Sequence, residues 1–409
     1  MHLDIILALL AHNLAFTLAQ VIPQVREFKH PGALHTQSDL DRVREHVQRG
    51  DEPWTRAFHH LEENSLAQPD RIPSPKSVVV RGKEDGLTQN YPSLYRDVHA
   101  AYQLALRWHV TKNDTYGTAA ANYLDAWATT LQRIDGSSDR YLAAGLYGYQ
   151  IANAGELLRS YTGWSKTNQT NFGTMLSTIF APMNHDFLVN HNGIPDHYYA
   201  NWYLCNIASL MAIGIFNDNA TMYNYAIDYF TNGPSDGAVA NGALPFFSIA
   251  NFTEEGSGKT LMQGQEAGRD QGHALLCIML LGVIGRQGYS QGLDTFGLFG
   301  RQILNAAEYA AKYNTGHDVQ FEAYESTDGN LTAVSANQRY NLRPGFEAIF
   351  SHFAEIESMN ASWSKDYRDL VNSNLIANIE GGGGDYGPNS GGFDALGHGT
   401  LMFRLTADG

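Results

Sequence analysis

The run Gln265-Glu266-Ala267-Gly268-Arg269-Asp270-Gln271-Gly272-His273 leads straight into an apolar stretch from Ala274 to Ile284. Polar and charged side chains at the mouth of an apolar helix each cost free energy if they are buried without partners, so such a mouth is expected to line a cavity. A second mouth lies upstream, where His197-Tyr198-Tyr199-Ala200-Asn201-Trp202 opens the apolar segment Cys205 to Phe216. Together they predict helix ends converging on one pocket for something long, polar and anionic. An imidazole such as His273 exchanges protons near neutrality. Arg269, Arg339 and Arg343 offer forked donors that match carboxylates.

These residues need a scaffold, and the periodicity supplies one. Val98, Ala101, Tyr102, Ala105 and Leu106 fall at i, i+3, i+4, i+7 and i+8, and Leu124, Trp127, Ala128 and Leu131 repeat the stripe. Further helical segments are expected over 142–158, 172–180, 203–216, 222–230, 273–286, 296–313, 346–357 and 365–376. Val78-Val79-Val80 is the one clear strand candidate. Stop and start residues such as Asn113-Asp114, Gly136-Ser137-Ser138, Gly233-Pro234 and Gly316-His317 divide the chain into helix pairs. The expected fold is all-α: antiparallel helix pairs closing into an (α/α) toroid, an incomplete α/α barrel whose inner helices meet at a central cleft. No break in composition divides residues 20–409, which predicts one domain, and the glycines from Gly381 to Gly392 are expected to form a tight final loop against the ring.

Residues 1–19 carry the apolar run and small residues of a signal peptide, with His2 and Asp4 where positive charge is usual. Acceptor triplets for N-glycosylation begin at Asn113, Asn168, Asn219, Asn251, Asn330 and Asn360. Both features predict a secreted, extracellular glycoprotein, and no later run is long enough to span a membrane. A formal charge of −15 argues against nucleic acid and anionic membrane surfaces as partners, and requires local positive charge for any polyanionic substrate. A monomer is expected. The 2 cysteines, Cys205 and Cys277, lie one turn inside the two helix mouths, so a disulfide between adjacent helices and a pair of inert core thiols both fit. No metal or other cofactor is indicated.

Several blocks carry a family resemblance: Phe28-Lys29-His30-Pro31-Gly32 with Leu34-His35-Thr36, Ala100 to Trp108, Asn153 to Leu158, Asn201-Trp202, Arg269 to His273, and Arg343-Pro344-Gly345-Phe346-Glu347. In this order the chain resembles the alginate-lyase-like superfamily over about residues 28–400, most closely its secreted fungal members, which are similar to lyases of alginate or β-1,4-glucuronan. The resemblance implies β-elimination: neutralise the uronate carboxylate, remove the C5 proton, protonate the leaving oxygen. It places Asn201 opposite the carboxylate. The usual Asn-His pair is Asn201-Trp202 here, and the position of the family's catalytic Tyr falls on His273. His273 is therefore the candidate base, with Tyr340 or Tyr199 as acid, or as acid and base together.

Trp202, His197, Arg269, Gln271, Arg339 and Arg343 are the candidate substrate contacts, each with a structural alternative. His273 could be satisfied by Asp270 or Glu266, Trp202 could be packing, His197 a loop cap, and Arg343 could pair with Glu347. Two other functions fit the same residues. One is an α/α-barrel glycoside hydrolase using two carboxyls among Glu266, Asp270, Glu347 and Asp385. The other is a carbohydrate-binding glycoprotein without activity. Endo or exo action depends on whether loops such as 236–258 close one end of the groove.

Overall fold

The computed structural model describes residues 22–233 and 243–407. The expected signal peptide and the first part of the 236–258 loop lie outside the described residues.

Helices α1 (Gln37–Arg49), α2 (Trp54–Glu63), α3 (Pro92–Thr111) and α4 (Asp114–Thr130) open the fold. Next come Arg140–Leu142, a π-turn over Ala143–Tyr147, and α5 (Gly148–Leu158), followed by α6 (Lys166–Met175) and α7 (Ala181–Asn190). The second half contains α8 (Ala200–Phe216), α9 (Ala220–Thr231), α10 (Gln271–Ser290), α11 (Leu298–Asn314), α12 (Phe346–Phe350) and α13 (Ser362–Asn372). The helices follow the stripes expected from the sequence.

An inner series, α3, α5, α8, α10 and α12, is in contact one to the next, while α4, α7, α9, α11 and α13 pack outside it. The short helix Gly399–Met402 then contacts α12 on one side and α1 and α2 on the other. This is the α/α toroid, and burial explains which helices face inward. In α8 every residue but Trp202 is buried, so a helix apolar all round can only sit within the ring. Close approach needs small residues: a Cβ on Gly145 would lie 2.4 Å from the Cys205 Sγ. Ion pairs complete the inner contacts, as where Asp39 of α1 accepts from Arg286 of α10 at 2.9 Å.

The strands are short. β1 (Val78–Val80), the expected one, pairs in parallel with β2 (Arg133–Asp135). Two antiparallel hairpins were not expected: β3 (Ser248–Thr253) with β4 (Thr260–Gly264), and β5 (Tyr324–Ser326) with β6 (Gly329–Leu331). The final glycine loop rests on α2 and α3 as expected. The Asn64 amide donates to the Gly382 carbonyl at 3.2 Å, and a Cβ on Gly383, whose φ is +60°, would meet the Gln103 amide.

Candidate active site

At the mouth of α8, Tyr199 is extended and provides no side-chain cap. The exposed amide of the helix is met from elsewhere: Gln265 Oε1 accepts from the Ala200 N–H at 2.7 Å. A side chain from the approach to α10 thus caps α8, which joins the two mouths as the sequence predicts. Asn201 follows at once. It is 1 % exposed and its Oδ1 has no hydrogen-bond partner, an unusual state for a buried amide. Trp202 packs against Tyr198 at 4.7 Å and Phe187 at 5.7 Å between ring centroids, leaving it half-buried. His197 is exposed, with its ring edge-on to Tyr198 at 4.9 Å.

At the mouth of α10, Asp270 is the N-cap: its Oδ1 accepts from the His273 N–H at 2.8 Å and its Oδ2 lies 2.6 Å from His273 Nδ1. Burial opposes ionisation of Asp270, yet the hydrogen bond and charge of His273 hold its carboxyl below the usual range. The His273 side chain is 36 % exposed, so its Nε2 edge is the one left for a ligand. Glu266 is fully buried, and desolvation pushes its carboxyl up to about 7 against the pull of Arg269 and His273. Arg269 Nη1 sits 3.2 Å from Glu266 while its guanidinium covers the Tyr199 ring at 4.5 Å.

The β5–β6 hairpin closes over this group. Tyr324 donates to the Gln265 carbonyl and accepts from the Gly268 N–H at 3.2 Å. At the hairpin tip, Asp328 accepts from the Tyr199 hydroxyl at 2.7 Å and lies 3.8 Å from Arg269 Nε. Burial, with the Asp328 charge, raises the Tyr199 pKa and keeps the phenol protonated. Neither Tyr324 nor Asp328 was singled out from the sequence. The signal was present, since Asp328-Gly329 is a hairpin-turn dipeptide.

Other candidates are engaged elsewhere. Gln271 is buried, donating to the Ala267 and Ser335 carbonyls and accepting from Asn314, so it fixes the loop behind the site and has nothing left for substrate. Arg339 donates to the Tyr313 and His317 carbonyls with its guanidinium over the Tyr313 ring, a loop clamp. Tyr340 is 59 % exposed and makes no hydrogen bond to Asn201 or His273. Arg343 is buried and pairs with Asp394 at 3.0 Å. Its expected alternative partner, Glu347, is taken by Arg404 and Arg368. The disulfide does not form: Cys205 and Cys277 are free and buried. The Cys205 thiol turns back to the Trp202 carbonyl of its own helix at 3.3 Å. One cation escaped the sequence reading altogether: Arg81, after β1, donates to the Tyr147 hydroxyl at 3.1 Å and lies against the Tyr91 ring.

A family profile described as alginate lyase matches residues 43–320, well over half of the chain. The chain belongs to the alginate lyase family. It is accordingly a polysaccharide lyase, and the hydrolase alternative falls away. Among solved structures, an alginate lyase from Bacteroides ovatus is similar at 12 % identity and a TM-score of 0.60, over 92 % of this chain and 100 % of that one. Alginate lyase A1-III from Sphingomonas species A1 is similar at 13 % identity and a TM-score of 0.58, over 93 % of this chain and 98 % of that one. A variant of A1-III complexed with a tetrasaccharide is similar at 14 % identity and a TM-score of 0.55, covering 90 % of this chain and 94 % of that one. At these identities the likeness is one of fold. No curated protein matches the chain.

Proposed function

We propose that this protein cleaves a 1,4-linked uronic-acid polymer, β-1,4-glucuronan or alginate, by β-elimination, releasing unsaturated oligosaccharides. The observation that carries the reading is a His273 ring already oriented by Asp270, at a helix mouth joined through Gln265 to the one that holds the buried Asn201. The Nδ2–H donor of the Asn201 amide stabilises the charge that develops on the uronate carboxylate as C5 loses its proton. His273 takes that proton through Nε2, because Nδ1 is bonded to Asp270 and the carboxylate stabilises the imidazolium that results. Tyr199 is the nearer candidate acid for the leaving oxygen. Its hydroxyl is protonated, its ring lies under the Arg269 guanidinium, and it must leave Asp328 to act. Incubating the purified protein with glucuronan, polymannuronate and polyguluronate tests the reading directly. An ultraviolet-absorbing C4–C5 double bond in the products supports it, and no absorbing product from any of them refutes it.

The same reading places the protein outside the cell, as a monomeric glycoprotein. Asn113, Asn219, Asn251, Asn330 and Asn360 are exposed, which supports glycan attachment there. Asn168 differs: its Nδ2, the atom a glycan would occupy, donates to Asp125 at 2.6 Å. Glycopeptide mapping of the secreted protein is expected to find the exposed positions occupied and Asn168 bare.

A further inference from the structure

Helix α10 carries His273 in its first turn and ends, about 20–25 Å further along its axis, at Arg286, Tyr289 and Ser290. We propose that the cavity at this far end is a second sugar site, which takes a free or chain-terminal hexuronate residue away from the site of cleavage. Its volume is about 220 Å³. Its wall is built by Thr36, Asp39 and Arg42 at the start of α1, by the end of α10, and by the π-turn Ser351–Ile356 that follows α12. None of these residues takes part in the elimination. The inference goes beyond the lyase reading, and binding here needs no cleavage, so the two can fail separately.

Three features of the wall select a sugar acid. The first is charge. Asp39 is the one carboxylate among the described lining residues, and it is fully engaged: it accepts from Arg42 at 2.8 Å, from Arg286 at 2.9 Å and from the Thr36 N–H at 2.9 Å. Two guanidiniums thus share one carboxylate, and the Nε of each has no partner, which suits a second carboxylate brought by a ligand. The second feature is a set of buried polar groups left unmatched. Ser290 and Ser351 are 4 % and 3 % exposed, and neither hydroxyl has a partner, although buried hydroxyls are normally bonded. His352 Nε2 lies 3.0 Å from Glu357, a carboxylate that Arg301 also holds at 2.6 Å. Burial lowers the His352 pKa and keeps the ring neutral, so with Nε2–H given to Glu357 its unpartnered Nδ1 is an open acceptor. A bare carboxylate offers nothing to that acceptor, whereas a sugar hydroxyl does. The third feature is Tyr289, exposed and edge-on to His352 at 4.9 Å, an aromatic surface that the C–H face of a pyranose can cover. Carboxylate, hydroxyls and C–H face together describe a hexuronate.

Calorimetric titration of the full chain with D-glucuronate and D-mannuronate, monosaccharides that have no glycosidic bond to cleave, tests the site, with D-glucose and acetate as comparisons. At least one of the sugar acids is expected to bind about tenfold or more tightly than glucose or acetate. The Ser290→Ala/Ser351→Ala double variant removes hydroxyls that have no partner in the fold, so its melting temperature should be little changed while that binding weakens about fivefold or more. Tyr289→Ala, at an exposed position, should weaken it in the same direction. His273→Ala should leave it unaltered. Binding of neither acid, equal binding of glucose or acetate, unchanged affinity in either wall variant that folds, or loss of binding in His273→Ala overturns the proposal. An absorbing product from a polyuronate with no binding of either sugar acid rejects this site alone, and binding with no such product rejects the lyase reading alone.

Discussion

Asp270 and His273 share two bonds: one oxygen of the carboxylate accepts from the His273 main chain at 2.8 Å, while the other lies 2.6 Å from its ring. A single side chain therefore starts helix α10 and orients the candidate base. The two roles separate by mutation. Asp270→Asn keeps an equally good cap but removes the negative charge that stabilises an imidazolium, so turnover should fall about 10²-fold with little change in stability. Asp270→Ala should lose the activity and about 1 kcal/mol of stability as well. His273→Ala should lower turnover at least as far as Asp270→Asn. Near-normal turnover in His273→Ala would move the base to Tyr199 or Tyr340.

Asn201 and Arg343 make opposite predictions. The Asn201 Oδ1 has no partner to lose, so Asn201→Ala should leave the melting temperature nearly unchanged while turnover drops about 10²-fold or more. Arg343 offers a carboxylate clamp in sequence, which would make Arg343→Lys a binding defect. In the structure it is buried against Asp394. Removing the guanidinium strands a buried carboxylate, a loss of about 3–5 kcal/mol, so Arg343→Ala should chiefly destabilise. Thermal melts alongside KM decide between these, and an unaltered melt with a raised KM would restore Arg343 as a substrate contact.

Why the partner of His273 was legible in the sequence and that of Arg343 was not is a matter of range. His273 and its partner Asp270 are three residues apart, so the helix start fixes their geometry and spacing alone suffices. The helices were legible for the same reason, since a 3.6-residue period is local. Arg343 and Asp394 are fifty-one residues apart, and nothing in the periodicity of either segment indicates the other. Gln271 is similar: its position in the motif was clear, but its commitment to Ser335 and Asn314 depends on a loop that returns from a distance. The β5–β6 hairpin is too short for alternation to register, yet it supplies the two groups, Tyr324 and Asp328, that brace the site.

The two thiols offer a direct check on helix packing. Cys205 and Cys277 are reduced and buried, and burial raises both pKa values well above the ordinary thiol range. A thiol reagent at neutral pH should find neither in the native protein, because access and thiolate are both lacking. It should find both after unfolding without reductant. Absence of titratable thiol in the unfolded protein would mean that the bridge between α8 and α10 forms after all.

Acid should unfold this protein early, through its interior imidazoles. Burial lowers His35 and His398 to about 3 and His99 and His109 to about 4, from an ordinary 6.5. Within the fold these rings stay neutral, while the unfolded chain protonates them as pH falls below 6.5. At these four rings the unfolded state then binds more protons, which costs stability progressively between pH 6.5 and 4, and the buried carboxyls of Glu266 and Glu380, both raised to about 7 by burial, offset part of that loss because they take up protons in the fold first. Each group contributes on the order of a few kcal/mol by linkage, comparable with the whole stability of an ordinary domain. The carboxylate of Asp39, held low by Arg286 and Arg42 despite its burial, adds little in this window because above about pH 4 the unfolded carboxylate is largely ionised too, and its contribution is lost only at lower pH. A circular-dichroism titration should therefore show cooperative unfolding with its midpoint above pH 4. His99→Asn, which removes one such ring, should shift that midpoint to lower pH if the variant is compared at equal neutral-pH stability. Full helicity with unchanged denaturant resistance at pH 4 would mean that these rings accept protons within the folded ring of helices.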